Sequence, residues 1–549
     1  MPSKVLQLDA KDNVLIALVD LTQGEHVQFE ENTYTLVSDV PAKHKFAIKD
    51  LAAGADVVMY GVLVATSIKA IRRGERLTPL NVRHQASALH EKSGEYHWNP
   101  PDVSRWEQRT FMGYHRSDGQ VGTRNYWLVV PLVFCENRNV DVLKQAFEEE
   151  LGFAAPQIYR RQVARLAGLY REGRTEELKS RIEWHKCADT PSARLFENID
   201  GVKFLLHQAG CGGTRDDSDT LCGLIAGYIH HPNVAGATVL SLGCQSAQVD
   251  ILRRQIYERN PNFDKPLFVM EQQQSGSEYA MLSEAIQKTF MGLIEANQNT
   301  RMPAVLSSLC VGLKCGGSDG FSGISANPAV GHAADLLAAL GARAILSEFP
   351  ELCGVEQEFI NRSVSKEIGT RFAQLMRDYQ ARALSVGSSF EMNPSPGNIR
   401  DGLITDAMKS SGAAKKGGTS PVTAVLDYPQ YSTQAGLQLQ CTPGNDVECV
   451  TAQVGAGANV VLFTTGLGTP TGNPIAPVIK LSTNSSLADR MGDIIDWDTG
   501  GILTGAKTVP QMGEEVLDLV VRVASGEVRT KAELNAQNDF IPWKRGISL

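Results

Sequence analysis

Three short stretches place a thiol among turn-forming glycines directly after an apolar run. Residues 202–207 lead into Gly210-Cys211-Gly212-Gly213, residues 238–242 lead into Gly243-Cys244, and Ala304-Val305-Leu306 precede Lys314-Cys315-Gly316-Gly317-Ser318-Asp319. Glycine is required where the backbone takes positive φ or approaches a ligand closely, so these turns read as built to hold something. Thiolates grouped with His207, Lys314 and Glu348 point to a metal acting as Lewis acid beside proton carriers. Two forms of that chemistry are open. In one, a divalent ion such as Fe²⁺ is held by mixed Cys, His, Glu or Gln ligands with positions left for substrate. In the other, Cys211, Cys244 and Cys315 bind three irons of an iron–sulfur cluster, and the fourth iron takes substrate. The ligands lie far apart in sequence, so spacing does not separate the two. Cys187, Cys222, Cys310, Cys441 and Cys449 stand in apolar or irregular surroundings and read as packing residues.

Such residues meet only if the chain between them forms the right elements. From 200 to 350, apolar runs near 202–207, 237–242, 266–270, 304–309 and 343–347 alternate with helical patterns near 247–258, 277–296, 329–340 and 355–377. That alternation predicts a parallel sheet with crossover helices. Ligands of such sheets sit beyond the carboxyl ends of the strands, which would gather His207, Cys211, Cys244, Gln272, Lys314, Cys315 and Glu348. Strand patterns resume near 424–427, 458–463 and 478–481, with loops at Pro443-Gly444-Asn445-Asp446 and at 464–470. Residues 1–90 read instead as a small β-rich unit of short strands and Gly turns. Within it, Lys43-His44-Lys45 is the cluster able to do acid–base work, since flanking ammonium groups favour a neutral imidazole. The division expected is 1–90, a polar proline-containing linker over 91–110, and an α/β region in two parts, 111–390 and 391–549.

The bulk numbers exclude several classes. With 549 residues, 42% hydrophobic and 21% charged, the chain is ordinary for a globular protein. A net charge of −8 argues against a nucleic-acid partner. No apolar run is long enough to span a membrane, and the first residues lack a signal-peptide core, so a cytoplasmic location is expected. Gly455-Ala456-Gly457 precedes a strand and lacks the third glycine of a dinucleotide fingerprint. In 412–419, glycine stands where a phosphate loop needs lysine. His230-His231 lacks metal-helix spacing, and no serine elbow falls at a strand end.

Taken together, the motifs Gly113-Tyr114, Asp118-Gly119, Gly122-Thr123-Arg124-Asn125, Gly210-Cys211, Leu242-Gly243-Cys244, Gln272-Gln273-Gln274, Lys314-Cys315-Gly316-Gly317-Ser318-Asp319, Asn393-Pro394-Ser395-Pro396-Gly397-Asn398 and Pro443-Gly444-Asn445-Asp446 resemble the altronate/galactarate dehydratase family. His44-Lys45-Phe46 lies in a segment that is similar to the family's SAF domain. The resemblance covers essentially the whole chain. It implies loss of water from a sugar acid to give a 2-keto-3-deoxy acid, with iron, or manganese in some cases, as cofactor. Cys244-Gln245 and Ser347-Glu348-Phe349-Pro350-Glu351 look closer to the altronate enzymes than to the galactarate ones.

On that reading a metal would stabilise the doubly charged enolate formed when the C2 proton leaves. Lys45 or His44 would take that proton, and His44 or His207 would protonate the departing 3-hydroxyl. Arg124, Asn125, Thr465 and Thr469, with Gln272, Lys314 and Asn445, are the expected substrate contacts. Cys211, Cys244, Cys315 and Glu348 are the expected metal ligands. The small first domain would act as a lid, and a homo-oligomer is possible. A non-enzymatic sugar-acid sensor, a cysteine-nucleophile enzyme and a structural iron–sulfur protein are the rival classes.

Overall fold

The computed structural model describes residues 3–87, 89–155, 157–180 and 193–548; Cys187 lies outside them. The N-terminal unit is built of short antiparallel strands, among them Val14–Ala17, His26–Phe29, Asn32–Thr35, Lys45–Ala47, Asp56–Met59 and Val62–Ser67. Val14–Ala17 is buried along its whole length, which suits an unbroken apolar run covered on both faces. One apolar cluster, with Leu15, Val27, Leu36 and Phe46, lies wholly within this unit, and a second is completed from outside it. Val14, Ile16, Ala47, Val57 and Met59 share one apolar cluster with Phe321, Ile324, Ile404, Ala407 and Met408.

The stretch expected as a linker is tied down. Lys92 Nζ donates to Asn361 O at 2.6 Å, Tyr96 OH donates to Thr419 O at 2.7 Å, and Trp106 is buried in the main core. Thr110–His115 then pairs antiparallel with both Val121–Gly122 and Met302–Val305. The last of these differs from the expectation of a buried run through 304–309. Pro303 lacks the N–H a central strand must donate, and Met302, Pro303 and Val305 are exposed. The buried strand is the next one, Cys310–Cys315, all six residues of which are covered.

Two parallel sheets carry the rest. The first contains β1 (Tyr126–Pro131), β2 (Gly201–Phe204), β3 (Val234–Ser241) and β4 (Leu267–Glu271), in the order β2-β1-β3-β4. The second contains β5 (Cys310–Cys315), β6 (Arg343–Leu346), β7 (Val422–Leu426), β8 (Gly436–Gln440), β9 (Val460–Thr465), β10 (Val478–Ser482) and β11 (Trp497–Asp498). Its order is β7-β8-β6-β5-β9-β10-β11. The alternation between 200 and 350 is therefore shared by two sheets, because β5 and β6 pair with strands after residue 420. The division placed at 390 falls inside the second unit, and the change of sheet comes between β4 and β5.

Buried polar bonds join the sheets. Thr123 Oγ1 donates to Asn459 O at 2.8 Å, Asn233 Nδ2 donates to Ile475 O at 2.8 Å, and His231 Nε2 bonds Ala458 O at 3.0 Å. Helix Arg215–His230 lies so close to helix Asp446–Gly455 that a Cβ on Gly227 would come 2.1 Å from Gly455 O. Among the described residues no helix is long and apolar enough to cross a membrane.

Candidate active site

The central strand of the seven-stranded sheet, β5, ends in Lys314 and Cys315, both buried. Its neighbour β6 ends one residue before Ser347, and Glu348 then turns the chain at φ +69° into the 3-10 turn Phe349–Leu352. A left-handed glutamate is uncommon, and here the turn brings Glu348 and Glu351 to the same thiol. Cys315 Sγ lies 3.8 Å from Glu348 Oε2 and 3.3 Å from Glu351 Oε2. Helix Asp406–Ala414 and the turn Lys415–Gly417 supply the counter-charges. Lys416 Nζ donates at 2.7 Å to both Cys315 Sγ and Glu348 Oε2, and Lys409 Nζ pairs with Glu351 Oε1 at 2.8 Å. Lys314 Nζ pairs with Glu348 Oε1 and reaches Asp446 Oδ1 and Gly444 O, each at 3.0 Å.

A buried network of this kind stands only if every charge is partnered. Burial, then the carboxylate of Glu348, raises the Cys315 thiol to about 12, although Lys416 and Lys314 pull the other way. Burial disfavours the Glu351 carboxylate, but Lys409, Lys314 and Lys416 outweigh it and hold Glu351 at about 2. Glu348 is raised by burial and by Glu351, against the pull of both lysines. Cys315, Glu348 and Glu351 offer ligand atoms within 4.8 Å of one another. One thiol and two carboxylates are a mixed donor set of the kind that can hold a divalent metal ion. Lys416, at 2.7 Å from two of these atoms, marks a point that a cation stabilises.

The N-terminal unit meets the same end of the sheet through Lys43-His44-Lys45. Lys43 Nζ lies 3.0 Å from Asp319 Oδ2, in the loop that leaves Cys315, and 2.8 Å from Asp401 Oδ1. Gly320 packs against Lys43 so closely that a Cβ there would come 2.6 Å from Lys43 O. His44 Nε2 bonds Arg400 O at 2.9 Å, which makes Nε2 the protonated nitrogen and leaves a lone pair on Nδ1. That Nδ1 is buried without a partner. Burial lowers the His44 imidazole from its ordinary value. Lys45 Nζ donates to Gly402 O at 2.7 Å, and burial brings it down to about 7. The turn at 393–398 links this contact to the charged cluster: Asn398 Nδ2 donates to Ser318 O at 2.8 Å, and Asn393 Oδ1 accepts from Lys409 Nζ at 3.1 Å.

Comparison with known proteins gives the same three units. Residues 3–85 match the altronate/galactarate dehydratase SAF domain, 113–297 the D-galactarate dehydratase/altronate hydrolase second domain, and 306–548 the D-galactarate/altronate dehydratase C-terminal domain. The chain is 32% identical to the altronate dehydratase of Escherichia coli K12 over 550 residues, covering 99% of each. The chain belongs to the altronate/galactarate dehydratase family. It is 30% identical to the Bacillus subtilis altronate dehydratase over 99% of each chain. Over 94% of this chain and 92% of the relative, it is 31% identical to the E. coli galactarate dehydratase (L-threo-forming). The family's enzymes are hydro-lyases, and this chain is one of them.

Within this dehydratase, the residues expected from sequence divide into those that meet and those that do not. Lys314, Cys315 and Glu348 converge, while His44 and Lys45 bond Arg400 O and Gly402 O, on either side of Asp401, whose carbonyl accepts from Gly320 N in the loop after Cys315. Thr465, at the end of β9, spends its hydroxyl on Gly468 N and Thr469 N, at 2.9 and 3.2 Å, so it shapes the loop. A Cβ on Gly317 would come 2.8 Å from Thr469 Oγ1, which puts Thr469 beside the same glycines. Asn445 caps helix Asp446–Gly455 through Val447 N and Glu448 N, and so positions Asp446 against Lys314.

His207 stands on the four-stranded sheet with both nitrogens engaged. Nε2 bonds Pro131 O at 2.7 Å, and Nδ1 accepts from Ala209 N at 3.2 Å. Burial lowers it to about 4, and with both nitrogens engaged it ties the turn after β2 to the end of β1. Arg124 and Asn125 lie at the entry of β1, the wrong end of a parallel strand for a ligand. Arg124 pairs with Glu533 at 2.7 Å, and Asn125 Nδ2 donates to Asn198 O and Ala296 O. Gln272 accepts from Asn139 Nδ2 at 3.3 Å beyond β4. Cys211 and Cys244 follow strands of the four-stranded sheet and are exposed, whereas Cys315 ends a strand of the seven-stranded sheet and is buried. Lys409, Lys416 and Glu351 are residues of this cluster that the sequence reading does not single out as site residues. For Lys416 the signal was present, a lysine pair between glycines at 412–418, read only as a failed phosphate loop.

Proposed function

We propose that this hydro-lyase removes water from a sugar acid, D-altronate first, to give the 2-keto-3-deoxy acid, in the cytoplasm and with Fe²⁺ or Mn²⁺. The observation that carries the reading is the seating of Lys43-His44-Lys45 on the loop that leaves Cys315, anchored by Lys43 and Asp319 at 3.0 Å. Cys315, Glu348 and Glu351 would hold the ion, which when bound supplies Lewis-acid polarisation of a hydroxy acid.

The chain's own groups handle the protons. His44, neutral and with its Nδ1 lone pair unspent, takes the proton from C2 of the substrate. Lys45, protonated below about 7, gives a proton to the 3-hydroxyl, which leaves as water. The C2–H electron pair becomes the C2–C3 double bond as the C3–O bond breaks, and the enol tautomerises to the ketone. The covered position of Lys45 keeps bulk water from competing for its proton. Anaerobic protein loaded with Fe²⁺ and assayed for keto acid tests this: D-altronate is turned over faster than galactarate. Turnover of neither acid overturns the reading, and preference for galactarate overturns the choice of substrate.

A further inference from the structure

Nine free cysteines are described, and three of them, Cys135, Cys211 and Cys244, are exposed. Free cysteine is among the most buried residue types, so three exposed thiols call for a reason other than packing. They are not scattered. Cys135 follows β1, Cys211 follows β2 and Cys244 follows β3, at the carboxyl ends of three adjacent parallel strands.

Backbone hydrogen bonds knit the three loops together beside the thiols. Phe134 N donates to Ala209 O at 3.1 Å, and Ser246 N and Ala247 N both donate to Gly210 O at 3.0 Å. Gly210 and Gly243, one residue before Cys211 and Cys244, take φ of +101° and +115°, a region that favours glycine. A Cβ on Gly210 would sit 2.1 Å from Leu132 O, so the Cys211 loop is pressed onto the end of β1.

A second observation points to a cation at this edge. Glu136, next to Cys135, is 1% exposed, and its Oε1 has no hydrogen-bond partner. Its other oxygen accepts from Asn139 Nδ2 at 2.8 Å, which also reaches Gln272 at the end of β4. Among the described residues the trio with ligand atoms within 4.8 Å is Cys315, Glu348 and Glu351. Cys135, Cys211 and Cys244 do not form such a trio, so a single ion is not what their loops are drawn around.

We propose that Cys135, Cys211 and Cys244 hold an iron–sulfur cluster of the four-iron type, at a site separate from Cys315. Three thiolates from three loops leave one iron without a cysteine, open to solvent or to a small oxygen ligand. The site stands on geometry of the four-stranded sheet and is independent of the dehydratase reading.

The test is anaerobic reconstitution of the full chain with iron and sulfide, read by metal and sulfide analysis and by the broad sulfide-to-iron absorption of the cluster. About four irons and four sulfides per chain are expected. They fall several-fold in Cys135→Ser, Cys211→Ser and Cys244→Ser and stay unchanged in Cys315→Ser. Sulfide-free iron, zinc without sulfide, or a cluster lost in Cys315→Ser but kept in the other three each overturns the proposal. Circular dichroism of each variant separates loss of the cluster from loss of the fold: folded variants that retain full sulfide overturn it, and an unfolded one is replaced by the Ala substitution at the same position. Keto-acid turnover is measured in parallel, so a cluster without dehydration, or dehydration without a cluster, assigns failure to one reading alone.

Discussion

Lys416 bonds a thiol and a carboxylate at once, and both are buried. Removing one partner of a buried pair costs about 3–5 kcal/mol, since the other charge is left without compensation. Lys416→Met leaves Glu348 with Lys314 as its remaining lysine partner, so the expected loss of stability by urea denaturation is smaller, about 1–3 kcal/mol. An unchanged midpoint would mean that the pair is not closed in solution. His44 and Lys45 give a second prediction. His44→Ala loses on the order of 100-fold or more in kcat if its lone pair is the base. With Lys45 lowered to about 7 and acting as acid, kcat/KM falls as pH rises through about 7. Lys45→Arg, which keeps its charge, pushes that fall to higher pH. A wild-type profile that rises through 7 instead would exchange the roles of the two residues.

The element scale shows why some polar residues at strand ends are not site residues. His207 after β2 looks, in sequence, like Lys314 and Cys315 at the end of β5. What separates them is the partner: His207 is satisfied by Pro131 O and Ala209 N, and backbone carbonyls leave no mark in a sequence. Its protonation is a stability matter. The native imidazole titrates at about 4 and the ordinary value is 6.5, so the unfolded chain takes the proton first. Stability is full above about 6.5 and declines as pH falls toward about 4, by on the order of 3 kcal/mol. His207→Gln should keep turnover and flatten the denaturation midpoint over that range; a loss of kcat with unchanged stability would restore it to catalysis. Arg124 and Asn125 failed for a different reason, since they enter β1 and do not leave it. The rule that ligands gather at carboxyl ends anticipates the meeting of Lys314, Cys315 and Glu348 because it depends only on strand direction.

For the whole molecule, the strand–helix alternation disclosed a parallel α/β fold and the small β-rich unit before it. It did not disclose two sheets, because the pairing of β5 with β9, 145 or more residues apart, is decided by packing and not by local pattern. The N-terminal unit is held by a shared apolar cluster and by Lys43 with Asp319 and Asp401. The cluster secures attachment, while the ion pair sets the registry of His44. Lys43→Ala is thus expected to lower kcat about tenfold or more and to leave the thermal midpoint within a few degrees. A collapse of the midpoint would show that the ion pair itself holds the unit on.

Glu348 has one more implication. At φ +69° the backbone there would rest more easily as glycine, by roughly 1–2 kcal/mol. The side chain is held by its ion pairs with Lys314 and Lys416 more than by its longer contact with Cys315 N at 3.3 Å, so with both lysines replaced by methionine the preference should invert. In that double-variant background, Gly at 348 melts higher than Gln, whereas in the native background either one melts far lower than wild type.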